Sequence, residues 1–371
     1  MDRVIIIGTG VFGLSAADHI LQRWPNIELS IISRPSPLAP SEDISKIVRI
    51  DYNNPKRMEE ALGAQREWNS TSFSKFQNEI GRVVIYEDDD LATLEKINNA
   101  REEHGLPRRQ TGDGTLMQKH FGTGMAPESL TCVFASDDSI VDWETCMADA
   151  RERAKKACTE SSGTFYESGV ATIVKDGAHI TALQLENGEM IEARGAQVVL
   201  AVGPWLAQVL AASDITLPPN GRTPVATGLF SYAVQLDDEQ AESLRNKPMV
   251  SHNGKGRFFF TDSFTGSFRD GVTETQDPII ARHPEFQNLV CAAGGSFNRA
   301  KDLPTIGGVV ADVLGGRPVS DRYGWEPKTR DSHHDHPHLV GRGDFATMEK
   351  EAQAQQGAQD SAADHLSLAV I

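Results

Sequence analysis

A short apolar run leads directly into a glycine-rich turn at the N-terminus, and no other feature constrains the fold of this 371-residue chain as strongly. Residues 3–7 read Arg-Val-Ile-Ile-Ile, and an amphipathic segment follows the turn. Between them stand Gly8, Gly10 and Gly13, with the spacing Gly-x-Gly-x-x-Gly. The first glycine of this motif permits a tight strand-to-helix turn, the second lets backbone N–H groups approach a pyrophosphate, and the third lets helix and strand pack closely. The junction therefore predicts a dinucleotide-binding βαβ unit, with a purely structural turn as the alternative.

The residue expected to bind the ribose departs from the usual pattern. Dinucleotide-binding units commonly place Asp or Glu at the end of the second strand, about 20 residues after the glycines. Here the second predicted strand, 28–34, ends with Ser33 and Arg34. The Ser33 hydroxyl can hydrogen-bond a ribose, more weakly than a carboxylate. Arg34 is compatible with binding of a 2′-phosphate or with an ordinary solvated cation.

Charge and composition exclude several classes of protein. The net charge is −16, which disfavours nucleic acids and anionic membranes as partners. No apolar run approaches the roughly 18 residues of a membrane span. No secretory signal precedes Gly8, and residues 368–371 are not a peroxisomal address. Together with four cysteines that lack Cys-x-x-Cys spacing, these features predict a protein of the reducing cytoplasm.

Histidines cluster at 333–338, but their proline and polar neighbours indicate a surface loop, so we predict no metal site. From Ala346 onward the chain is rich in Gln, Ala, Glu and Asp, which is typical of a helix-prone or disordered tail.

Two further apolar strands run into glycines, at 196–203 and 288–295. The stretches between the junctions are β-rich. They include a predicted strand at 164–174 and a predicted hairpin with an Asn-Gly turn at 179–193. This order predicts a nucleotide-binding domain that is assembled from discontinuous segments, with a smaller domain inserted between them.

With these junctions in order, the chain resembles the FAD-dependent amine oxidases of the monomeric sarcosine oxidase family. Within that family it is most similar to the fungal branch of fructosyl amino acid oxidases (amadoriases) and saccharopine- or pipecolate-type oxidases. The resemblance extends over 3–327, apart from one gap. The motifs that carry it are 6–13 together with 45–49, 198–205, 276–284 and 294–307.

The resemblance implies an α/β fold with an α+β insert, in which a Rossmann-like FAD-binding domain is completed by a smaller, β-rich substrate domain. The FAD-binding domain is expected at 1–76, 136–216 and 278–327, the shortened substrate domain at 77–135 and 217–277, and a partly disordered C-terminal extension at 328–371.

The resemblance also implies an activity. Members of the family oxidise a C–N bond of a secondary amine or amino acid, pass a hydride to FAD, and use O2 to reoxidise the flavin, which yields H2O2. The carboxylate of an amino-acid substrate is held by the fork of an Arg and the point charge of a Lys. Arg49 and Lys301 match this pair and are the expected catalytic residues. Sarcosine-like, pipecolate-like and glycated substrates remain open, as does an amine of fungal secondary metabolism.

The cofactor contacts implied by the resemblance lie in the first glycine turn, at the strand ends and in the loops that follow them. They are Gly8, Gly10, Val11, Phe12, Gly13, Ser33, Arg34, Lys46, Val170, Gly203, Trp205, Gly294, Asn298 and Lys301.

Three departures from the family pattern bear on function. Phe268 stands where the family attaches FAD through a Cys, so we expect noncovalent FAD. Asn298 replaces a histidine, and Arg299 replaces a glycine where backbone approaches the flavin. The chain also bridges by 261–271 a region in which the family has several dozen residues, and only Arg269 falls near the family's oxygen-activating Lys.

Two alternatives to an active oxidase follow from these departures and from the glycine motif. The chain can be a flavin-binding relative whose catalysis is impaired by the shortened substrate domain. An NAD(P)-linked dehydrogenase would explain the first glycine motif, but not the two later junctions.

Overall fold

The computed structural model describes residues 1–326 apart from 35, 37–38, 44, 123–129, 219–221, 223, 232–235, 254–256, 260–265, 274 and 296–297. The helices are α1 (Val11–Arg23), α2 (Pro55–Ser70), α3 (Leu91–Glu103), α4 (Thr115–Phe121), α5 (Trp143–Glu160), α6 (Leu206–Ala211), α7 (Asp238–Leu244) and α8 (Ile306–Leu314). The strands are β1 (Arg3–Ile7), β2 (Glu28–Ser33), β3 (Ser45–Val48), β4 (Gln77–Asn78), β5 (Arg82–Tyr86), β6 (Thr111–Gly112), β7 (Thr131–Ala135), β8 (Ser139–Asp142), β9 (Phe165–Glu167), β10 (Val170–Asp176), β11 (His179–Leu185), β12 (Met190–Glu192), β13 (Gln197–Leu200), β14 (Val225–Ser231), β15 (Met249–His252), β16 (Arg257–Phe259), β17 (Gly266–Val272), β18 (Ile279–Arg282) and β19 (Leu289–Ala293).

The first strand lies inside a six-stranded sheet with the order β18-β19-β13-β1-β2-β9. All pairs are parallel except β18 with β19 at one edge. In this register Ile5 lies between Val198 and Ser30. Because the carboxyl ends of parallel strands meet at one edge of a sheet, the glycines that follow β1, β13 and β19 gather there.

Both faces of this sheet are covered, which explains why its strands are apolar at nearly every position. Val4 and Ile6 pack on one face in a core that includes residues of α1, α5 and α8. Ile5 and Ile7 pack on the other face, in a core that includes residues of β11 and α6. The central strand is therefore fixed in register by side chains on both sides.

The remaining strands form smaller sheets. A five-stranded sheet has the order β16-β15-β5-β7-β6, β14 pairs with β17, and two three-stranded sheets have the orders β10-β11-β12 and β3-β8-β4. The strands of the five-stranded sheet and of the β14–β17 pair all come from 77–135 and 217–277. The described residues lie in one compact unit, Met1–Asp331, so the division into a cofactor domain and a substrate domain stays a prediction.

The predicted hairpin is confirmed by β11 and β12, which pair antiparallel, but the prediction of one strand over 164–174 is wrong. That stretch divides into β9, which joins the central sheet beside β2, and β10, which pairs with β11 in a separate sheet. The break falls at Gly169, where a Cβ would lie 2.6 Å from the carboxylate of Glu186. Local hydrophobicity does not show that a chain changes sheets.

The contact between α1 and α8 yields a stability prediction. A Cβ on Gly307 would lie 1.9 Å from the backbone oxygen of Ser15, whereas a Cβ on the adjacent Gly308 would meet His19 at an ordinary 3.5 Å. We expect Gly307→Ala to lower the free energy of unfolding by about 1–3 kcal/mol, because two helix backbones must separate. Gly308→Ala is the matched control and is expected to be neutral or stabilising. Thermal or urea unfolding measures both, and equal stability of the two variants would contradict the packing.

Candidate functional site

The turn after β1 brings backbone segments closer together than a side chain allows. Gly8 has φ +108°, and its amide donates to the carbonyl of Ile32 at 2.8 Å. A Cβ on Gly8 would lie 2.3 Å from the carbonyl oxygen of Ala201, and a Cβ on Gly13 would lie 1.9 Å from the carbonyl oxygen of Gly8. Both positions therefore require glycine for the packing of β1, β13 and α1.

Gly10 stands apart from these two glycines. It is the N-cap of α1, no described side chain caps it, and the first turn of the helix contains no acidic residue. Among the described residues, a Cβ on Gly10 would meet only the Ser41 hydroxyl, at 3.7 Å. Of the next two residues, Val11 is half-buried and Phe12 is buried. This helix terminus has open space above it and suits a phosphate group.

The end of β2 is linked to both neighbouring segments. The hydroxyls of Ser33 and Thr9 lie 2.5 Å apart, which joins the end of β2 to the glycine turn. Arg34 donates to Glu186 at 2.7 Å, and both side chains are exposed. Val170 pairs with Leu185, the residue before Glu186. The structure thus brings three predicted cofactor contacts to one end of the sheet and adds Glu186, which the sequence suggested only as a turn residue.

The later junctions bring further predicted contacts to the same edge of the sheet. Gly203 and Trp205 form a 3-10 turn after β13, and Gly203 has φ +56°. Gly294 follows β19 with φ +81°, and a Cβ there would lie 2.6 Å from the methyl group of Thr273. Another predicted contact, Lys46, lies outside these junctions, in β3, and forms an ion pair with Asp43.

The predicted pair Arg49 and Lys301 converges on one aromatic ring. The Arg49 guanidinium carbon lies 4.5 Å from the centre of the Tyr52 ring, and the Lys301 ammonium lies 4.9 Å from it. Arg49 is half-buried and donates to the carbonyl of Asp51 at 3.3 Å. The backbone oxygen of Lys301 accepts from the indole of Trp68 at 2.6 Å, which holds this turn against α2. Two residues far apart in sequence thus approach the same ring.

The two cations change the acidity of that ring. Tyr52 is 7% exposed, and burial by itself raises the pKa of its phenol. The charges of Arg49 and Lys301 outweigh burial, so the pKa of Tyr52 lies below its usual value. The surroundings of Tyr52 therefore favour negative charge.

A small cavity of about 10 Å³ lies beside this ring. Its lining includes Tyr52, Asn298 and Lys301 as well as Arg57, Glu60 and Arg299. Asn298 accepts from Lys301 through its backbone oxygen at 2.6 Å. The cavity has room for about one water molecule and is bordered by charged groups.

A buried ion network surrounds the cavity, and Glu60 and Asp277 are its centres. Arg299 donates to Glu60 at 2.9 Å, Arg322 contacts both carboxylates, and Arg57 donates to Asp277 at 3.1 Å. Arg322 holds the pKa of Asp277 below its usual range, although burial alone would raise it. Burial costs a paired charge much less free energy than it costs an unpaired charge.

The network lay outside the sequence prediction, except for Arg299. Its members come from α2, from the segment just before β18 and from the 321–323 turn, up to 262 positions apart. The only local signal is the spacing of Arg57 and Glu60, which places them on one face of α2. Asn54 begins that helix by accepting from the amide of Arg57 at 3.2 Å.

All four cysteines are buried and unpaired. Burial raises the pKa of Cys291, in β19, to about 12, and similarly raises those of Cys146 to about 12 and Cys158 to about 11. Phe268 lies in β17, opposite Leu229 in β14. The structure thus shows no reactive thiol among the cysteines.

Several sequence predictions lie outside the described residues. These are the histidine stretch 333–338, the tail from Ala346, and residues 261–265 of the shortened segment. Within the described part of the chain, no group of three or more His, Cys, Asp or Glu residues could hold a metal ion. Over the same part, no helix is long and apolar enough to cross a membrane.

Residues 3–274 match the family of FAD dependent oxidoreductases called DAO. Among individual proteins, the chain is 26% identical over 274 residues to L-saccharopine oxidase of Schizosaccharomyces pombe. That match takes in 67% of this chain but only 59% of the length of the oxidase.

Solved structures show the same fold at low sequence identity. L-proline dehydrogenase from P. horikoshii has a TM-score of 0.71 at 16% identity, covering 87% of this chain and 96% of its own. Fructosyl amine:oxygen oxidoreductase (Amadoriase I) from Aspergillus fumigatus has a TM-score of 0.69 at 19% identity, covering 88% and 90%. The match over 3–274, more than half of the chain, shows that this protein belongs to the DAO family of FAD dependent oxidoreductases.

Proposed function

We propose that this protein is an oxidase that converts the C–N bond of a secondary amine or an amino acid to an imine, with noncovalent FAD as cofactor and O2 as electron acceptor. H2O2 is the second product, and water hydrolyses the imine. The observation that carries the proposal is the convergence of Arg49 and Lys301 on Tyr52 beside a charged cavity. The named activities of the relatives, an L-saccharopine oxidase and a fructosyl amine:oxygen oxidoreductase, support this class of substrate.

The glycine turn fits FAD. Gly10 leaves open space at the start of α1, and no acidic residue of the first turn repels a pyrophosphate. The hydroxyls of Thr9 and Ser33, which meet at the end of β2, and the backbone of Val170, which pairs with Leu185, are the groups that we expect to hold the adenosine part. FAD, when bound, supplies the hydride acceptor.

The residues of the chain orient the substrate. The Arg49 guanidinium and the Lys301 ammonium hold its carboxylate, and both cations lie against the buried ring of Tyr52. Burial excludes water and strengthens these charge-assisted hydrogen bonds. The site therefore favours small amines that carry a carboxylate.

The proposed partners are this small-molecule substrate and O2. The net charge of −16 disfavours a nucleic acid, and the four unpaired cysteines support a reducing, cytoplasmic location.

The first prediction concerns the glycine turn. Gly10→Val places methyl groups where the phosphate approaches the backbone, so we expect the variant to be purified without flavin but folded. Gly63→Val in α2 is the control, because a Cβ there meets only Arg66, at 3.8 Å. Flavin absorbance per protein and circular dichroism measure the two effects. A Gly10→Val protein with a full flavin complement would contradict the assignment.

The second prediction concerns attachment of the cofactor. Phe268 cannot form a thioether, and Cys291 is fully buried with a pKa of about 12, so the flavin is expected to be released by acid precipitation. Absorbance of supernatant and pellet at flavin wavelengths measures the release. Flavin retained in the washed pellet would show a covalent bond at another residue.

The third prediction concerns the carboxylate pair. Loss of one charge-assisted hydrogen bond costs about 1.5–3 kcal/mol, so Arg49→Ala or Lys301→Ala should weaken binding of (methylthio)acetate roughly 10- to 150-fold. This probe carries a carboxylate, and sulfur replaces its amine nitrogen, so it cannot form an imine. Flavin absorbance changes report the binding.

The exposed Arg66→Ala is the control for a lost surface charge. If Arg49→Ala and Lys301→Ala bind the probe as tightly as the parent, the pair is not the carboxylate site. Peroxide release on a panel of secondary amines and amino acids then tests the reaction itself. A protein that binds flavin and probe but releases no peroxide is the impaired relative.

A further inference from the structure

A buried carboxylate stands directly beside the proposed substrate-binding cation. Asp302 follows Lys301 in the 3-10 turn 300–302, and the two residues are 2% and 5% exposed. One oxygen of Asp302, Oδ1, lies 3.3 Å from the Lys301 ammonium. A carboxylate this close to a buried ammonium neutralises it and competes with the carboxylate of a substrate.

Arg299 engages the other oxygen of this carboxylate. Its guanidinium is 4% exposed and donates to Asp302 Oδ2 at 2.8 Å. Asp302 Oδ1 is buried and has no hydrogen-bond partner among the described residues, and Lys301 donates instead to the backbone oxygen of Asn298 at 2.6 Å. The hydrogen-bonded partner of Asp302 is therefore Arg299 and not Lys301.

The other two carboxylates of the ion network are also hydrogen-bonded to arginines. Glu60 accepts from Arg299 and Arg322, and Asp277 accepts from Arg57 and Arg322. Each of the three carboxylates, Asp302 included, is thus hydrogen-bonded to an arginine. Lys301 is the remaining positive charge of this group, and it faces both the ring of Tyr52 and the cavity.

We propose that Arg299 is a positioning residue that neutralises Asp302 and so keeps the charge of Lys301 available to the carboxylate of the substrate. The inference rests on the proposed function, because it assumes that Lys301 binds that carboxylate. Without Arg299, the network has as many carboxylates (Glu60, Asp277 and Asp302) as cations (Arg57, Arg322 and Lys301). Asp302 then pairs with Lys301. Removal of Asp302 as well restores the excess positive charge.

A double-mutant cycle tests this on the flavin-loaded full chain, with (methylthio)acetate as the probe. We expect Arg299→Gln to weaken binding about 10-fold or more, which is the scale of one charge-assisted contact. Asp302→Asn should bind the probe more tightly than the parent. The double variant, Arg299→Gln with Asp302→Asn, should bind the probe with an affinity within about 3-fold of that of the parent. Binding of 2-(methylthio)ethanol, which lacks the carboxylate, should stay constant across all four proteins.

The outcomes separate the two proposals. A parent that does not bind (methylthio)acetate overturns the proposed function and this inference with it. A parent that binds, with a double variant as weak as Arg299→Gln, overturns only the inference, because Arg299 then acts on the ligand or the fold directly. If Arg299→Gln does not fold, Asp302→Asn alone decides: tighter carboxylate binding supports the proposal and weaker or equal binding overturns it.

Discussion

The close approach of three backbone segments at the end of β1 is the constraint on which the site depends. At Gly8 the backbone that follows β13 is too close to admit a side chain. At Gly13 the backbone of the turn itself is too close to α1 to admit one. This contact fixes where α1 begins, and therefore where its N–H groups point. It also brings the later junctions, after β13 and β19, to the same edge of the sheet.

Around the cavity, stability and chemistry depend on the same charges. The arginines and carboxylates of the ion network link α2 to the turns at 300–302 and 321–323. Burial of these charges is tolerated because each carboxylate has a cationic partner. Lys301 differs from the arginines in that it faces an aromatic ring and donates to a backbone oxygen, and we propose that this asymmetry favours an anionic ligand.

The surroundings of Arg299 in the structure differ from those that the sequence suggested. In sequence it stands where the family has a glycine, which suggested a side chain crowding the flavin. In the structure its guanidinium is buried against Glu60 and Asp302. The distance of Glu60 along the chain, 239 positions, put this partnership beyond any local pattern.

The sequence by itself determined the βαβ unit, the three strand–glycine junctions and the identity of Arg49 and Lys301 as a candidate pair. The unit and the junctions follow from spacing and from local patterns, because a turn with positive φ or a strand covered on both faces restricts residue type position by position. Arg49 and Lys301 follow instead from the resemblance to the amine oxidase family. Only the tertiary structure decided the division of 164–174 between two sheets, the pairing of Arg34 with Glu186, and the ion pairs around Asp302. Such contacts join residues hundreds of positions apart, and the energy of a buried charge depends on partners that only the folded chain brings within hydrogen-bond distance.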